Sequence, residues 1–439
     1  MLERLFGLAE HKTNVRTEVF AGFTTFLTMA YIVVVNPQIL GDAGIPVAAA
    51  AAATCLVAGL ASIMMGFVAN YPLALAPGMG LNAYFTYTVV KGMGVPWETA
   101  LGCVFISGAV FMVLTVVGVR QMIIASIPRS LFAAVAGGVG LFIAFIGLKD
   151  AGIIVANPAT FVGLGNLTSP TAALSLGGLL LIAVLQAWKV KGAILVGIVV
   201  TALAGWGLGL SHFTPGAYSL SSLSATAFKL DIPAAFSLKG NLGPTLMEII
   251  FVFLFVDLFD NVGTLVAVTK RAGLTDKDGN LPRMKQALIA DSFAAMFGSL
   301  IGTSTTTSYI ESAAGVAEGG RTGLTAITVG VLFLITLFFA PLVQAIPTAA
   351  TAPALILVGA LMIGAVVEVD WADASIAIPA YLTLIMIPLT YSIANGLAFG
   401  ITSHAALKLA RGQVKLKQDW LLFVLAALFI ARFVYLAKG

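Results

Sequence analysis

The chain has 439 residues, of which 59% are hydrophobic and only 10% carry a charged side chain. Soluble domains are about 25% charged, so this composition cannot supply a water-facing surface and most of the chain must be surrounded by lipid. The net charge of +4 does not indicate a nucleic-acid partner, because the basic residues lie in short loops between apolar runs. A soluble enzyme and a nucleic-acid-binding protein are therefore both excluded.

The apolar runs repeat along the whole chain, and each of about 20 residues is long enough to cross a ~30 Å hydrocarbon core as a helix. Seven runs precede a polar stretch at 211–242, and seven follow it. A last apolar run, 419–436, is either a fifteenth span or a helix in the membrane interface. We predict fourteen spans, near residues 18–38, 47–69, 72–90, 97–118, 130–148, 171–188, 192–210, 245–268, 286–300, 303–316, 322–345, 350–367, 374–391 and 394–411.

The loop charges predict the orientation of these spans. Most Lys and Arg residues fall in alternate loops, on the side that would also hold the N-terminus, whereas the other side receives Lys91, Lys149, Lys229 and Lys239. Positive loops stay in the cytoplasm, so the N-terminus is predicted to be cytoplasmic. The N-terminal segment does not resemble a cleavable signal. We expect a multi-pass protein of the cell membrane.

The two sets of seven spans have opposite orientations, because an odd number of crossings separates them. This is the inverted-repeat arrangement of secondary transporters. The third span of each half is also interrupted: Pro77 and Gly78 break the first, and a Thr/Ser run at 303–308 breaks the second. Such stretches favour short extended strands, and irregular backbone at membrane depth is tolerated where protein buries it or a cavity faces it. The matching breaks indicate a binding site.

Acidic residues inside the spans point to the same place. Asp257 and Asp260 lie three residues apart in the eighth span, Asp291 lies in the ninth and Glu311 in the broken tenth. A charged side chain within a membrane costs roughly 2.5–3.5 kcal/mol on insertion scales. These carboxylates must therefore face a cavity, share hydrogen bonds or hold protons. A purely structural role stays open for each, most of all for Asp291.

No nucleophile–base set, metal-ligand spacing, phosphate loop or cofactor motif is visible, so we expect neither an enzyme nor a bound cofactor or metal.

The chain resembles the AzgA-like purine permeases, a branch of the nucleobase/ascorbate transporter superfamily. The resemblance covers essentially the whole sequence. It rests on Val15–Glu18 leading into Gly22–Met29, on Asn36–Gln38, on Ala76–Asn82, on Asp257–Thr264, and on Tyr309–Gly315 with Gly319–Gly323.

The resemblance implies an all-α membrane protein of fourteen segments in a 7+7 inverted repeat, with short strands in the third and tenth spans. A core domain would comprise 1–119 and 243–346, and a gate domain 120–242 and 347–439, with substrate between them. The core would move against the gate in an elevator-like manner. Family members are usually proton symporters and often homodimers.

The resemblance also implies roles for individual residues. Asp257 or Asp260 and Glu311 would hydrogen-bond the base, with Asn82, Ala83 and Ile310 as further contacts. Asp260 and Glu311 are the predicted proton carriers. An ionised carboxylate only accepts hydrogen bonds, so it matches the N1–H of hypoxanthine and guanine, with adenine as the next candidate. An anion transporter of the same fold is the alternative from another class.

Overall fold

The computed structural model describes residues 2–118, 128–212, 220–236, 243–274, 281–414 and 416–436. Within this part of the chain α-helices dominate, joined by short connections and two small pairs of strands. The predicted domain boundary at 119–120 lies outside the described residues, as does residue 242.

The first half contains these elements, in chain order: α1 (Leu2–Phe6), α2 (Val15–Met29), α3 (Ile32–Asp42), α4 (Val47–Val68), β1 (Leu75–Pro77), α5 (Met79–Ala83), a π-helix (Tyr84–Gly92), α6 (Trp97–Val117), α7 (Arg129–Asp150), β2 (Ile154–Asn157), β3 (Phe161–Leu164), α8 (Pro170–Ala187) and α9 (Ala193–Gly207). A 3₁₀ helix (Leu220–Ala225) and α10 (Ile232–Ala235) follow in the long polar connection.

The second half contains α11 (Gly243–Arg271), α12 (Met284–Ile301), β4 (Thr306–Ser308), α13 (Ser312–Ala317), α14 (Gly323–Thr336), a 3₁₀ helix (Leu337–Ala345), α15 (Thr348–Met362), a 3₁₀ helix (Ile363–Glu368), α16 (Ala374–Leu389), α17 (Ile393–Ala410) and α18 (Leu416–Leu436).

Each of the fourteen predicted spans has a counterpart among these elements. Spans 2 and 4 are α4 and α6, span 8 is α11, and span 9 is α12. The breaks predicted in the third and tenth spans are confirmed as β1 and β4, which are each three residues long. Several features were not predicted, and two of them lie in or beside the spans of the first half. The first span is divided into α2 and α3 around Ala30 and Tyr31, and β2 and β3 form an antiparallel hairpin before the sixth span.

Eight helices in the described part of the chain are long and apolar enough to cross a membrane, the first of them running through Val15–Asp42. Shorter apolar helices occur at Ala193–Gly207, Ala374–Leu389 and Asp419–Ala431. Strands β1 and β4 interrupt the third and tenth spans, so neither of these spans is a continuous helix. The interruptions predicted in the third and tenth spans are therefore present in the structure.

The chain divides into two compact units, Met1–Val113 with Ile146–Leu357, and Leu114–Phe145 with Val358–Gly439. In the first unit, a fully buried carboxylate joins α2 to the start of α14: Glu18 accepts hydrogen bonds from the backbone N–H groups of Arg321 (2.9 Å) and Thr322 (3.2 Å). The hydroxyl of Thr325 donates to the same carboxylate. Glu18 thus satisfies N–H groups that a helix start leaves without an intrahelical partner.

In the second unit, α7 packs closely on its neighbours through glycines. A Cβ added to Gly140 would lie 2.8 Å from the carbonyl oxygen of Gly359, and one added to Gly138 would lie 3.2 Å from that of Leu384. Small residues let membrane helices approach in this way. The last apolar run forms α18, which contacts α17 through an ion pair of 2.7 Å between Lys408 and Asp419 and through the rings of Phe399 and Phe433.

Candidate functional site

The two broken spans meet through their strands. β1 and β4 pair antiparallel, with Leu75 opposite Ser308 and Pro77 opposite Thr306. The backbone bond from Gly78 N–H to the Thr305 carbonyl extends the pairing at one end, and the bond from Tyr309 N–H to the Ala74 carbonyl extends it at the other. All six strand residues are buried. The pairing satisfies backbone groups that would be costly to leave open at membrane depth.

Serine side chains complete the hydrogen bonding around β1. The Ser62 hydroxyl, on α4, accepts from the backbone N–H of Leu75 at 3.0 Å and donates to the carbonyl of the same residue at 3.1 Å. Ser312, at the start of α13, accepts from the N–H of Ala74 at 3.0 Å. Each strand is followed directly by a short helix, α5 after β1 and α13 after β4. Because the strands are antiparallel, the chain leaves the strand pair at opposite ends as it enters these two helices.

Two predicted acids come together beside this strand pair. Glu311 lies at the N-cap of α13, Asp260 lies on α11, and their carboxylates interact electrostatically. Both residues are partly exposed, although the residues that surround them along the strands are buried. Tyr309, at the end of β4, interacts electrostatically with both acids, and its hydroxyl donates to the Pro77 carbonyl at 2.5 Å. The partly exposed sides of both acids therefore border an accessible space beside the strand pair.

Tyr31 supplies the side-chain hydrogen bond to this pair. Its hydroxyl donates to Oε1 of Glu311 at 2.7 Å. Tyr31 occupies the break between α2 and α3, and only 1% of it is exposed. Tyr31 was not among the site residues predicted from the sequence. The available signal was a tyrosine in the middle of an apolar span, six residues before the proline of the Asn36–Gln38 segment.

The other helix-eight acid has a different environment. Asp257 lies one turn before Asp260 on α11 and is buried, with 3% of the residue exposed. Asn261, the residue after Asp260, is also buried, and its Oδ1 accepts a hydrogen bond from the Ser308 hydroxyl at 3.5 Å. The neighbouring Phe253 contacts Tyr84 edge-on at 5.2 Å. Asp257 thus lies in a packed part of α11, whereas Asp260 reaches the accessible space.

Asn82 is placed in a buried polar network. Its amide nitrogen donates to Oδ1 of Asn36, and its Oδ1 accepts from the Ser304 hydroxyl. The Asn36 amide in turn donates to Thr54 at 2.8 Å and to Thr303 at 3.1 Å. The network ties α3, α4 and α5 to the segment before β4. In this structure both polar atoms of the Asn82 side chain are engaged with protein.

The remaining predicted positions are not brought to the acid pair by side-chain contacts that the structure shows. Ala83 is fully buried beside Asn82 on α5. Ile310 lies between Tyr309 and Glu311 and is 48% exposed, so its side chain is open to the surroundings of the pair. Asp291 is fully buried on α12. Within the described residues, no group of three or more His, Cys, Asp or Glu side chains is arranged to hold a metal ion.

The comparisons with known proteins agree with this architecture. The model of the permease family Xan_ur_permease matches residues 16–399. The chain is 48% identical to the adenine permease AdeP of Escherichia coli over 99% of this chain and 96% of that protein. It is 45% identical to the guanine/hypoxanthine permease PbuO of Bacillus subtilis over 93% of this chain and 95% of that protein.

The fold is also found among solved structures. The transmembrane domain of the cyanobacterial bicarbonate transporter BicA superposes with a TM-score of 0.63 and 13% identity, covering 88% of this chain and 97% of that domain. At this identity the likeness concerns the fold alone, and it confirms the predicted polytopic helical membrane fold. Because the matching family and the relatives above are permeases, the protein is a membrane permease rather than an enzyme.

The chain belongs to the purine nucleobase permeases of the nucleobase/ascorbate transporter family, because the family model covers most of its length and its relatives are adenine and guanine/hypoxanthine permeases. The resemblance stated from the sequence motifs is therefore confirmed.

Proposed function

We propose that this permease imports purine nucleobases together with protons, and that it prefers hypoxanthine and guanine. The observation that carries the proposal is the pair of partly exposed carboxylates, Asp260 and Glu311, beside the paired strands of the two broken spans. Carboxylates at membrane depth typically mark substrate sites and proton relays. No Lys or Arg lies within residues 245–268 or 303–316, the predicted spans that carry these acids, so a substrate or a proton is the natural counterpart.

The chemistry of the pair supports a purine with an N–H donor. An ionised carboxylate accepts hydrogen bonds and cannot donate them. Hypoxanthine and guanine present an N1–H donor, whereas N1 of adenine is an acceptor. In a site shielded from water, an unpaired polar group is costly, so the preference is expected to be sharp.

Adenine is the second candidate substrate. It is favoured by the similarity to AdeP, which at 48% identity is comparable to the 45% identity to PbuO. A protonated Glu311 would offer adenine the donor that its N1 requires.

The coupling mechanism follows from the same residues. A proton from outside binds Asp260 or Glu311 and lowers the cost of moving the loaded site. The core segments 1–119 and 243–346 then move against the gate segments 120–242 and 347–439 in an elevator-like manner, and base and proton leave on the inside. A ligand shifts such an equilibrium only through different affinities for the two states.

Orientation, membrane and assembly are part of the proposal. The charge distribution of the loops favours a cytoplasmic N-terminus in the cell membrane. The homodimer that the family resemblance allows is tested by light scattering of the purified protein in detergent.

A cysteine introduced at Glu10, which is exposed, tests the orientation: an impermeant maleimide should label it only after the cells are permeabilised.

The deciding experiment is uptake of labelled hypoxanthine into proteoliposomes, with and without an inward proton gradient. Competitors are guanine, adenine, uracil and sulfate. Accumulation driven by the gradient and blocked by guanine, but not by uracil or sulfate, is expected. Stronger competition by adenine than by guanine would favour the second candidate. Folded protein without purine uptake would contradict the proposal, and inhibition by sulfate would favour an anion transporter.

A further inference from the structure

The hydroxyl of Tyr31 and the carboxylate of Glu311 are 280 residues apart in sequence and are joined by a 2.7 Å hydrogen bond. Tyr31 stands at the break between α2 and α3, where its ring is enclosed, with 1% of the residue exposed. Glu311 remains partly exposed. The bond therefore connects a fixed buried donor to a carboxylate that still reaches the accessible space.

The other groups that face Glu311 do not duplicate this donor. Tyr309 at the end of β4 directs its hydroxyl proton to the Pro77 carbonyl, and Asp260 on α11 has a carboxylate of the same kind. The backbone N–H of Glu311 itself also bonds to its carboxylate. Among the described residues, the structure thus shows one side chain, that of Tyr31, donating a hydrogen bond to the Glu311 carboxylate.

A tyrosine hydroxyl carries one proton, and in this contact the proton is directed at Oε1 of Glu311. Such a bond is stronger when the acceptor is ionised, because charge-assisted hydrogen bonds are roughly twice as strong as neutral ones. The contact therefore favours a Glu311 that accepts hydrogen bonds. It also occupies Oε1, so that Oε2 is the oxygen to which we assign the ligand contact. An acceptor in this position selects a ligand that presents an N–H group.

We propose that Tyr31 is a positioning residue that makes the site selective for 6-oxopurines over adenine by holding Glu311 as a hydrogen-bond acceptor. The inference rests on the proposed purine transport and adds the residue that sets its selectivity. The oxopurine donates N1–H to Oε2 of Glu311. Adenine has no proton on N1 and pairs poorly with a carboxylate held in this state.

The test is the Tyr31→Phe substitution, which keeps the ring and its packing and removes only the hydroxyl. Initial rates of uptake into proteoliposomes give KM and kcat for hypoxanthine and for adenine. The hypoxanthine KM should rise about ten-fold, the loss expected for one hydrogen bond to a charged group. The adenine KM should stay within about two-fold, so that the ratio of the two KM values changes by roughly ten-fold.

Tyr71→Phe is the matched control, because the Tyr71 hydroxyl is also engaged, accepting from the Arg283 N–H at 3.1 Å, but lies away from the acid pair. Its KM ratio should equal that of the wild type. Melting temperatures in detergent, with and without each purine, measure folding and binding independently of transport. Equal changes in both KM values, or no change in the ratio for Tyr31→Phe, would overturn the inference.

Uptake by the wild-type protein distinguishes a failure of this inference from a failure of the proposed function on which it rests. Uptake of adenine but not hypoxanthine by the wild type would overturn the role of Tyr31 and leave purine transport intact. A wild type that binds and transports no purine would instead contradict the proposed function.

Discussion

Gly66 on α4 and Gly323 at the start of α14 lie against each other, and a Cβ added to Gly66 would be 2.5 Å from the carbonyl oxygen of Gly323. Seven residues away along each helix the relationship repeats: a Cβ on Gly330 would be 2.5 Å from the carbonyl oxygen of Gly59. The two helices come from different halves of the chain. Paired glycines therefore set the distance between a span of the first half and a span of the second.

Replacing Gly66 with Ala should destabilise the protein, because the added methyl group meets backbone rather than a flexible side chain. Overpacking of this kind typically costs about 1–3 kcal/mol. The measurement is the melting temperature of the purified protein in detergent. Gly177→Ala, on α8, is the control, since a Cβ there has nothing within 4 Å and alanine is the better helix former. Equal melting temperatures for the two variants would contradict the close-packing account.

Replacing Glu18 with Gln should lower stability and leave substrate affinity unchanged. The carboxylate accepts from two backbone N–H groups and from the hydroxyl of Thr325, and an amide that presents one oxygen cannot accept all of these bonds. Loss of hydrogen bonds to a buried charged group costs about 1.5–3 kcal/mol. Melting temperature and the hypoxanthine KM are measured together. Glu10→Gln, at an exposed acid, is the control. A changed hypoxanthine KM at an unchanged melting temperature would instead show that Glu18 takes part in transport.

The sequence predicted the elements that composition and periodicity determine. Long apolar runs defined the spans, and the Pro77 and 303–308 segments correctly predicted two strands because neither can continue a membrane helix. The hairpin β2–β3 was missed although its signals are present: two short apolar runs flank the turn-forming pair Asn157-Pro158. These runs are much shorter than a membrane span and were therefore assigned to the loop between spans. The division of the first span around Tyr31 was missed because the hydrophobic run continues through the break.

The site was predicted through its acids and not through their partners. Asp260 and Glu311 stood out because a carboxylate in an apolar span needs an explanation. Tyr31 did not, because tyrosine is common in such spans and its partner is 280 residues away. Glu18 was overlooked as a buried acid because it begins the first span, where a carboxylate could equally face water. Only the tertiary structure places it against the start of α14.

Replacing Glu311 with Gln should abolish high-affinity binding of hypoxanthine. The neutral amide loses the charge-assisted bond to Tyr31 and offers a weaker acceptor to the base. The hypoxanthine KM is expected to rise at least about ten-fold. Glu10→Gln again serves as the control for changing an acid to an amide. Unchanged affinity in Glu311→Gln would remove this residue from the binding site.

Asp373, the N-cap of α16, should make stability depend on pH. Hydrogen bonds from the N–H and hydroxyl of Ser375, and the guanidinium of Arg411, lower the pKa of this carboxyl below its ordinary value. Its stabilising contribution is therefore present above the unfolded-state pKa and is lost as pH falls through the folded one. Asp373→Ala should melt earlier than wild type at neutral pH, and the gap should close under acid. Glu368→Ala, at an exposed acid, should show no such gap.

Replacing Asp260 with Asn should uncouple transport from the proton gradient. Asp260 is partly exposed and interacts with Glu311, so a proton can reach it and its loss changes the charge of the site. The variant is expected to exchange labelled for unlabelled hypoxanthine but not to accumulate it when the outside is acidic. Both quantities are measured on the same proteoliposomes.

Asp257→Asn is the decisive comparison for this assignment, since it makes the same change one turn earlier on α11, at a residue that is 3% exposed. A proton that enters from outside must reach its acceptor through water, so the buried Asp257 should be dispensable for coupling, and its variant should still accumulate substrate. If Asp257→Asn lost accumulation while Asp260→Asn kept it, the coupling proton would belong to the buried acid. Water would then have to reach that acid during the transport cycle.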